Sequence, residues 1–133
     1  MSPKKFFKAL VNGTNTNNLK WHVAPKSSYR LFTNISSGIV DAYFTEYRKD
    51  TLIVVYQYKT ENDNGEEEVS YYISICDSNF KFKYEFTQKE LNAYGTEMFQ
   101  FYKSLQRSAN NINIFMEEFV KDFGSDDDDD LPF

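Results

Sequence analysis

Two groups of residues could carry chemistry in this 133-residue chain. One is Asp126-Asp127-Asp128-Asp129-Asp130-Leu131-Pro132-Phe133: five consecutive carboxylates, then a short apolar plug that bears the terminal carboxylate. Like charges repel and Pro132 blocks helix continuation, so this segment cannot fold alone. Its chemistry is that of a docking peptide, an anionic string for a basic rim and one aromatic for an apolar pocket. The second group interleaves cations with aromatics: Lys20-Trp21, Tyr29-Arg30, Tyr43, Tyr47-Arg48-Lys49, Tyr58-Lys59, Tyr72, Lys81 and Lys83. Cations track phosphates and aromatic faces stack on bases, which is how single strands are held without base-specific hydrogen bonds. A stacked base is worth about 1–3 kcal/mol, so two or three such contacts matter. The residues expected to hold a strand are Trp21, Tyr29, Arg30, Tyr43, Tyr47, Arg48, Lys49, Tyr58, Tyr72, Lys81 and Lys83. Half-buried Tyr and alternating Lys also occur on ordinary sheets, so this pattern alone does not decide.

Other chemistries find little material. The single histidine, His22, and the single cysteine, Cys76, lie far apart, and no local nucleophile motif joins them. One Cys and one His cannot make a zinc site unaided. Glu61, Asp63 and Glu66 to Glu68 cluster at a predicted hairpin tip without calcium-loop spacing, and the five glycines are scattered rather than gathered in a phosphate loop. An enzyme is disfavoured, and neither a cofactor nor a metal is expected.

The tail closely resembles the C-terminal tip of bacterial single-stranded-DNA-binding proteins: a run of Asp, then Ile or Leu, then Pro-Phe at the very end. The resemblance covers the tail only, and the body is not similar to that family. In the family, the tip recruits replication and repair enzymes, which hold the Phe in an apolar pocket and its carboxylate with a basic residue. The resemblance therefore implies that Pro132 and Phe133 dock, with Leu131 beside them and Asp126 to Asp130 as electrostatic lead-in. It implies single-stranded DNA and replication, recombination or repair proteins as partners, in a bacterial cytoplasm or a phage-infected host. The rival reading is an adaptor or inhibitor that mimics the tip and binds no DNA. A third is a structural protein with an incidental acidic end. The family's OB-fold barrel and long Gly/Gln/Pro-rich linker have no counterpart here, so its oligomeric state and DNA path do not carry over.

Charge and composition fit one domain plus a tail. Lys and Arg total 15 and Asp and Glu total 20; without Asp126–Asp130 the acids also number 15, so the body is neutral and the tail carries the net charge of −5. A neutral body with local basic patches does not repel a polyanion as a uniformly acidic one would. With one cysteine no internal disulfide forms, which fits a reducing compartment. Neither a signal peptide nor a membrane-spanning run is read in the chain, so no membrane partner is expected. A homo-oligomer is expected, because small single-strand binders often multiply their surface that way.

The elements that must position these groups are read from periodicity. Residues 3–11 suit a short helix with Phe6, Phe7, Leu10 and Val11 on its apolar side. Lys20 to Val23 suits a short strand, Tyr29 to Ile35 is ambiguous, and Ser36-Ser37-Gly38 reads as a turn. From residue 39 the period is two: Ile39, Asp41, Tyr43, Thr45 and Tyr47 on one face, Val40, Ala42, Phe44 and Glu46 on the other, the second set being expected to face the core. Strands over 52–59 and 67–76 flank an Asn64-Gly65 hairpin turn. Phe80, Phe82, Tyr84 and Phe86 are expected on one face of a fourth meander strand. Thr87 and Glu90 form a capping box. A helix follows through Leu91, Tyr94, Met98, Tyr102 and Leu105, which Gly95 kinks or splits. A last helix, 112–123, is expected to bury Ile112, Phe115, Met116 and Phe119. Strands first and helices after make the class α+β: a meander of four to five strands under two C-terminal helices over 1–123, with 124–133 a disordered docking tail. An OB barrel is the alternative fold.

Overall fold

The computed structural model describes residues 2–34 and 38–124. The docking tail, Asp126 to Phe133, and most of the Ser36–Gly38 turn lie outside the described residues. The chain is α+β, as expected. It begins with helix α1 (Pro3–Asn15) and strand β1 (Trp21–Val23), then a 3-10 turn (Lys26–Ser28) and the one-turn helix α2 (Tyr29–Phe32). The meander follows: β2 (Ile39–Tyr47), β3 (Thr51–Glu61), β4 (Glu67–Asp77) and β5 (Phe82–Thr87). Three helices close it: α3 (Gln88–Leu91), α4 (Gly95–Ala109) and α5 (Ile112–Phe123). The five strands are antiparallel in the order β1-β2-β3-β4-β5, an open sheet rather than an OB barrel.

Local chemistry sets the helix ends. Ser2 caps α1 through the Lys4 N–H, with Pro3 opening the helix where its missing donor is harmless. Its buried residues Phe7, Leu10 and Thr14 recur at helical spacing. The Thr87–Glu90 capping box forms in both directions, at 3.2 and 3.4 Å. Asn92 then turns left-handed at φ 52° and ends α3 after one turn; Gly95, at φ 56°, opens α4. The expected long helix is thus two helices, and Tyr94, between them, is exposed.

Both sheet faces are covered. On one, Phe7 and Leu10 of α1, Leu91, and Met98, Phe101, Tyr102 and Leu105 of α4 pack on Trp21, Tyr43, Ile53, Val55, Tyr71 and Ile73. On the other, Phe32 of α2 packs with Ala24, Ala42, Leu52, Val54, Tyr56 and Cys76. The helical layer therefore lies on the Tyr43–Thr45 side of β2, the reverse of the expectation from its pattern. Ala42 and Phe44 face the smaller core. The reason is β3: Leu52 to Tyr56 are all buried, so both faces of the sheet demand cover.

Gly38 enters β2 at φ 95°; an added Cβ would lie 2.6 Å from Tyr58 Cε2 and 2.8 Å from the Lys59 carbonyl. Only glycine fits that approach. A β-bulge between Ile39 and Asp41 follows it. A second bulge sets Phe82 opposite Cys76 but Tyr84 opposite Ile75. This breaks the expected common face of Phe80, Phe82, Tyr84 and Phe86: Phe80 joins the α2 core, while Phe86 packs on Phe6 at 5.2 Å.

The last helix departs most from expectation. No residue of α5 is buried, and Ile112, Phe115, Met116 and Phe119 all remain exposed.

Candidate nucleic-acid interface

The meander sorts its charges by end. The β2–β3 turn, the β4–β5 turn and the start of β1 share one end, since Thr51 pairs with Asp77 and Trp21 with Thr45. Exposed Lys20, Arg48, Lys49, Lys81 and Lys83 gather there, against Glu46, Asp50 and Asp77. Asp77 is committed to its own turn: its Oδ1 accepts from the Asn79 and Lys81 N–H groups at 2.8 and 2.9 Å. Those backbone bonds, the Lys81 one first, hold its carboxyl below the usual range. The opposite end, around the 62–66 turn, carries Glu61, Asp63, Glu66, Glu67 and Glu68, with Lys59 paired to Glu67 at 3.3 Å.

Tyr47 closes β2 at the basic end with 48% of its surface exposed, and the Arg48 guanidinium lies 5.0 Å from its ring centroid. Arg48 holds φ 56°, the left-handed step that turns β2 into β3. Phe82 and Tyr84 on the edge strand are 40% and 49% exposed. Neither is among the residues expected to hold a strand; their place on an edge strand beside Lys81 and Lys83 was the available signal.

Two of the expected stacking residues are corrected. Trp21 is 3% exposed, with its Nε1–H donating to Thr14 Oγ1 at 3.0 Å, and its ring meets Phe101 edge-on. Tyr43 is 4% exposed under α4, in edge contact with Tyr102. Its hydroxyl donates to Asp41 Oδ2 at 3.1 Å, and burial raises its pKa. Asp41 also accepts from Tyr102 and Gln106, which ties α4 to β2. Neither ring has a face to offer a base, because helices cover that side of the sheet.

Tyr58 and Tyr72 are half-buried on the opposite face from Tyr47, among the residues that pack on the α2 core. Tyr72 stacks on Tyr56 at 5.4 Å and meets Tyr58 edge-on at 6.1 Å, so their rings are largely engaged with one another. Tyr29 is half-buried against Phe32, and Arg30 is exposed beside it on α2. The eleven expected residues therefore form no single face. Tyr47, Arg48, Lys49, Lys81 and Lys83 share the basic end; Tyr29, Arg30, Tyr58 and Tyr72 belong to the α2 side; Trp21 and Tyr43 lie inside.

The Cys76 thiol is fully buried and donates to the Leu52 carbonyl at 3.7 Å. Burial pushes it up to about 12, which removes the thiolate a nucleophile needs. Its neighbour in the α2 core, Tyr56, donates to Glu85 Oε1 at 2.9 Å and is hydrogen-bonded to Thr33 at 3.0 Å; Ser74 donates to the other Glu85 oxygen. Among the described residues no group of three or more His, Cys, Asp or Glu is placed to hold a metal, and no helix is long and apolar enough to cross a membrane. Comparison with protein-family models, curated proteins and solved structures gave no match.

Proposed function

We propose that this protein binds single-stranded DNA without sequence preference through the basic end of its sheet, and that Asp126–Phe133 recruits replication, recombination or repair enzymes. The segregation of charge carries the reading. A body that is neutral in total places Lys20, Arg48, Lys49, Lys81 and Lys83 at one end and five acids at the other. Phosphates recognise such a cationic edge, and exposed Tyr47, Phe82 and Tyr84 lie beside it as faces for bases. The decisive experiment titrates a labelled oligo-dT at two salt concentrations. Binding that weakens steeply with salt supports the reading; no binding at low salt, or affinity indifferent to salt, overturns it.

The burial of Trp21 and Tyr43 favours a second reading, because it leaves fewer rings for bases. On that reading the protein is an adaptor or inhibitor that presents a copy of the tip and holds no DNA. Capture of a tip-binding enzyme, with and without Phe133, tests the docking step that both readings share. The oligo-dT titration separates them.

A further inference from the structure

Helix α5 has an unmet need for a partner. Ile114, Phe115, Phe119, Val120 and Phe123 are 54, 61, 54, 56 and 76% exposed. At ~200 Å² for each phenylalanine side chain, the three rings alone leave roughly 380 Å² of aromatic surface in water. That already reaches the ~300–600 Å² of the largest apolar patch on an ordinary monomer, before Ile114 and Val120 are added. At 12 residues, α5 is also at the lower limit for a helix that holds in water without tertiary packing.

The same molecule offers a matching groove. It measures about 390 Å³ and is lined by Phe6, Ala9 and Leu10 of α1 with Leu19, Tyr47 and Ile53. Exposed cations neighbour its lining residues in sequence: Lys5 precedes Phe6, Lys20 follows Leu19, and Arg48, whose guanidinium lies 5.0 Å from the Tyr47 ring centroid, follows Tyr47. The charge on α5 is of opposite sign, with Glu117, Glu118 and Asp122 against Lys121. Pairing α5 with another α5 would instead set those acids against their own copies. Lys20, next in sequence to Leu19 of the groove, lines a second cavity with Ile114, Met116 and Glu117 at the root of α5. In a two-fold pair the exchange is reciprocal: each copy gives its arm and receives the partner's. The arm has a joint as well, Asn110-Asn111, where Asn111 sits at φ 54° and makes no side-chain cap on α5.

We propose that α5 is an exchange arm that seats in the groove of a second copy of this chain, giving a two-fold dimer. The proposal does not depend on DNA binding. Tyr47 belongs to both surfaces, so the test is made without DNA. Sedimentation equilibrium of the full chain should give a dimer. A Phe115→Asp/Phe119→Asp variant and, independently, Ala9→Glu should each weaken dimerisation at least tenfold. Because α5 buries nothing and Ala9 is exposed, native-like tryptophan fluorescence and a cooperative thermal transition will show that both variants fold. Mixing an Ala9→Cys copy with a Phe119→Cys copy under mild oxidation should yield the mixed disulfide dimer; buried Cys76 does not compete. A wild-type monomer at every concentration overturns the proposal. So does a dimer that survives Ala9→Glu, a Phe119→Cys copy that links only to itself, or a chain carrying both cysteines that links only within itself.

Discussion

At the scale of single residues, the chain's one tryptophan is a structural anchor. Its indole N–H reaches Thr14, whose own hydroxyl donates to the Leu10 carbonyl at 2.8 Å. Thr14→Val keeps the shape and removes the acceptor, leaving a buried donor unpaired, so we expect a loss of about 1–3 kcal/mol in urea unfolding. Native Trp21 emission should resist iodide quenching and change little when oligo-dT is added. The α2 core responds to pH instead. In the unfolded chain the Cys76 thiol ionises near 9.0 and the Tyr56 hydroxyl near 10.0; burial raises both in the folded protein, the thiol to about 12. The folded state then holds more protons than the unfolded state above pH 9, so stability is full below that point and falls as pH rises. A decline on the order of a few kcal/mol by pH 12 is expected. Denaturant titrations at a series of alkaline pH values check it, and Tyr56→Phe should flatten the part of the decline above pH 10.

At the scale of elements, the two C-terminal helices should respond in opposite ways. Leu105 is fully buried in α4, and Leu105→Ala should cost about 2–5 kcal/mol, from the apolar atoms removed and the cavity left behind. Removal of 112–133 should leave the thermal midpoint of the monomer nearly unchanged, because α5 contributes no buried residue. Scanning calorimetry of both variants at low concentration makes the comparison. These helices also mark how far sequence reading reaches. Period two gives the meander, Asn64-Gly65 its central turn and Thr87-x-x-Glu90 a helix start, because each rests on neighbours a few residues apart. The covered face of β2 escapes such a reading because β3 is apolar on both sides, and register is not a local property. That is also why Tyr43 and Tyr58, both plausible sheet tyrosines, lie on different faces. Apolar spacing in α5 says that the helix needs a partner; it does not say whether that partner lies in the same chain.

At the scale of the whole molecule, the sheet is polarised, with exposed Lys and Arg gathered at one end and Glu61, Asp63 and Glu66 to Glu68 at the other. Reversing Lys49 and Lys81 to Glu touches only exposed side chains, and each change should alter stability by no more than ~0.5 kcal/mol. It should nonetheless weaken oligo-dT binding, and lower the slope of log affinity against log salt by about 0.7 for each phosphate no longer neutralised. Glu66→Lys, at the far end, should leave that affinity no weaker. The strand order has a consequence in time as well as in space. Every strand pairs with its neighbour in sequence, and short turns join β2 to β5, so no long loop must close before the meander forms. The nucleus is then expected in the β2–β3–β4 hairpins, with α1 arriving late, since it must find α4 across most of the chain. Substitutions at Val54 or Ile73 should therefore slow refolding, whereas substitutions at Phe7 should chiefly speed unfolding.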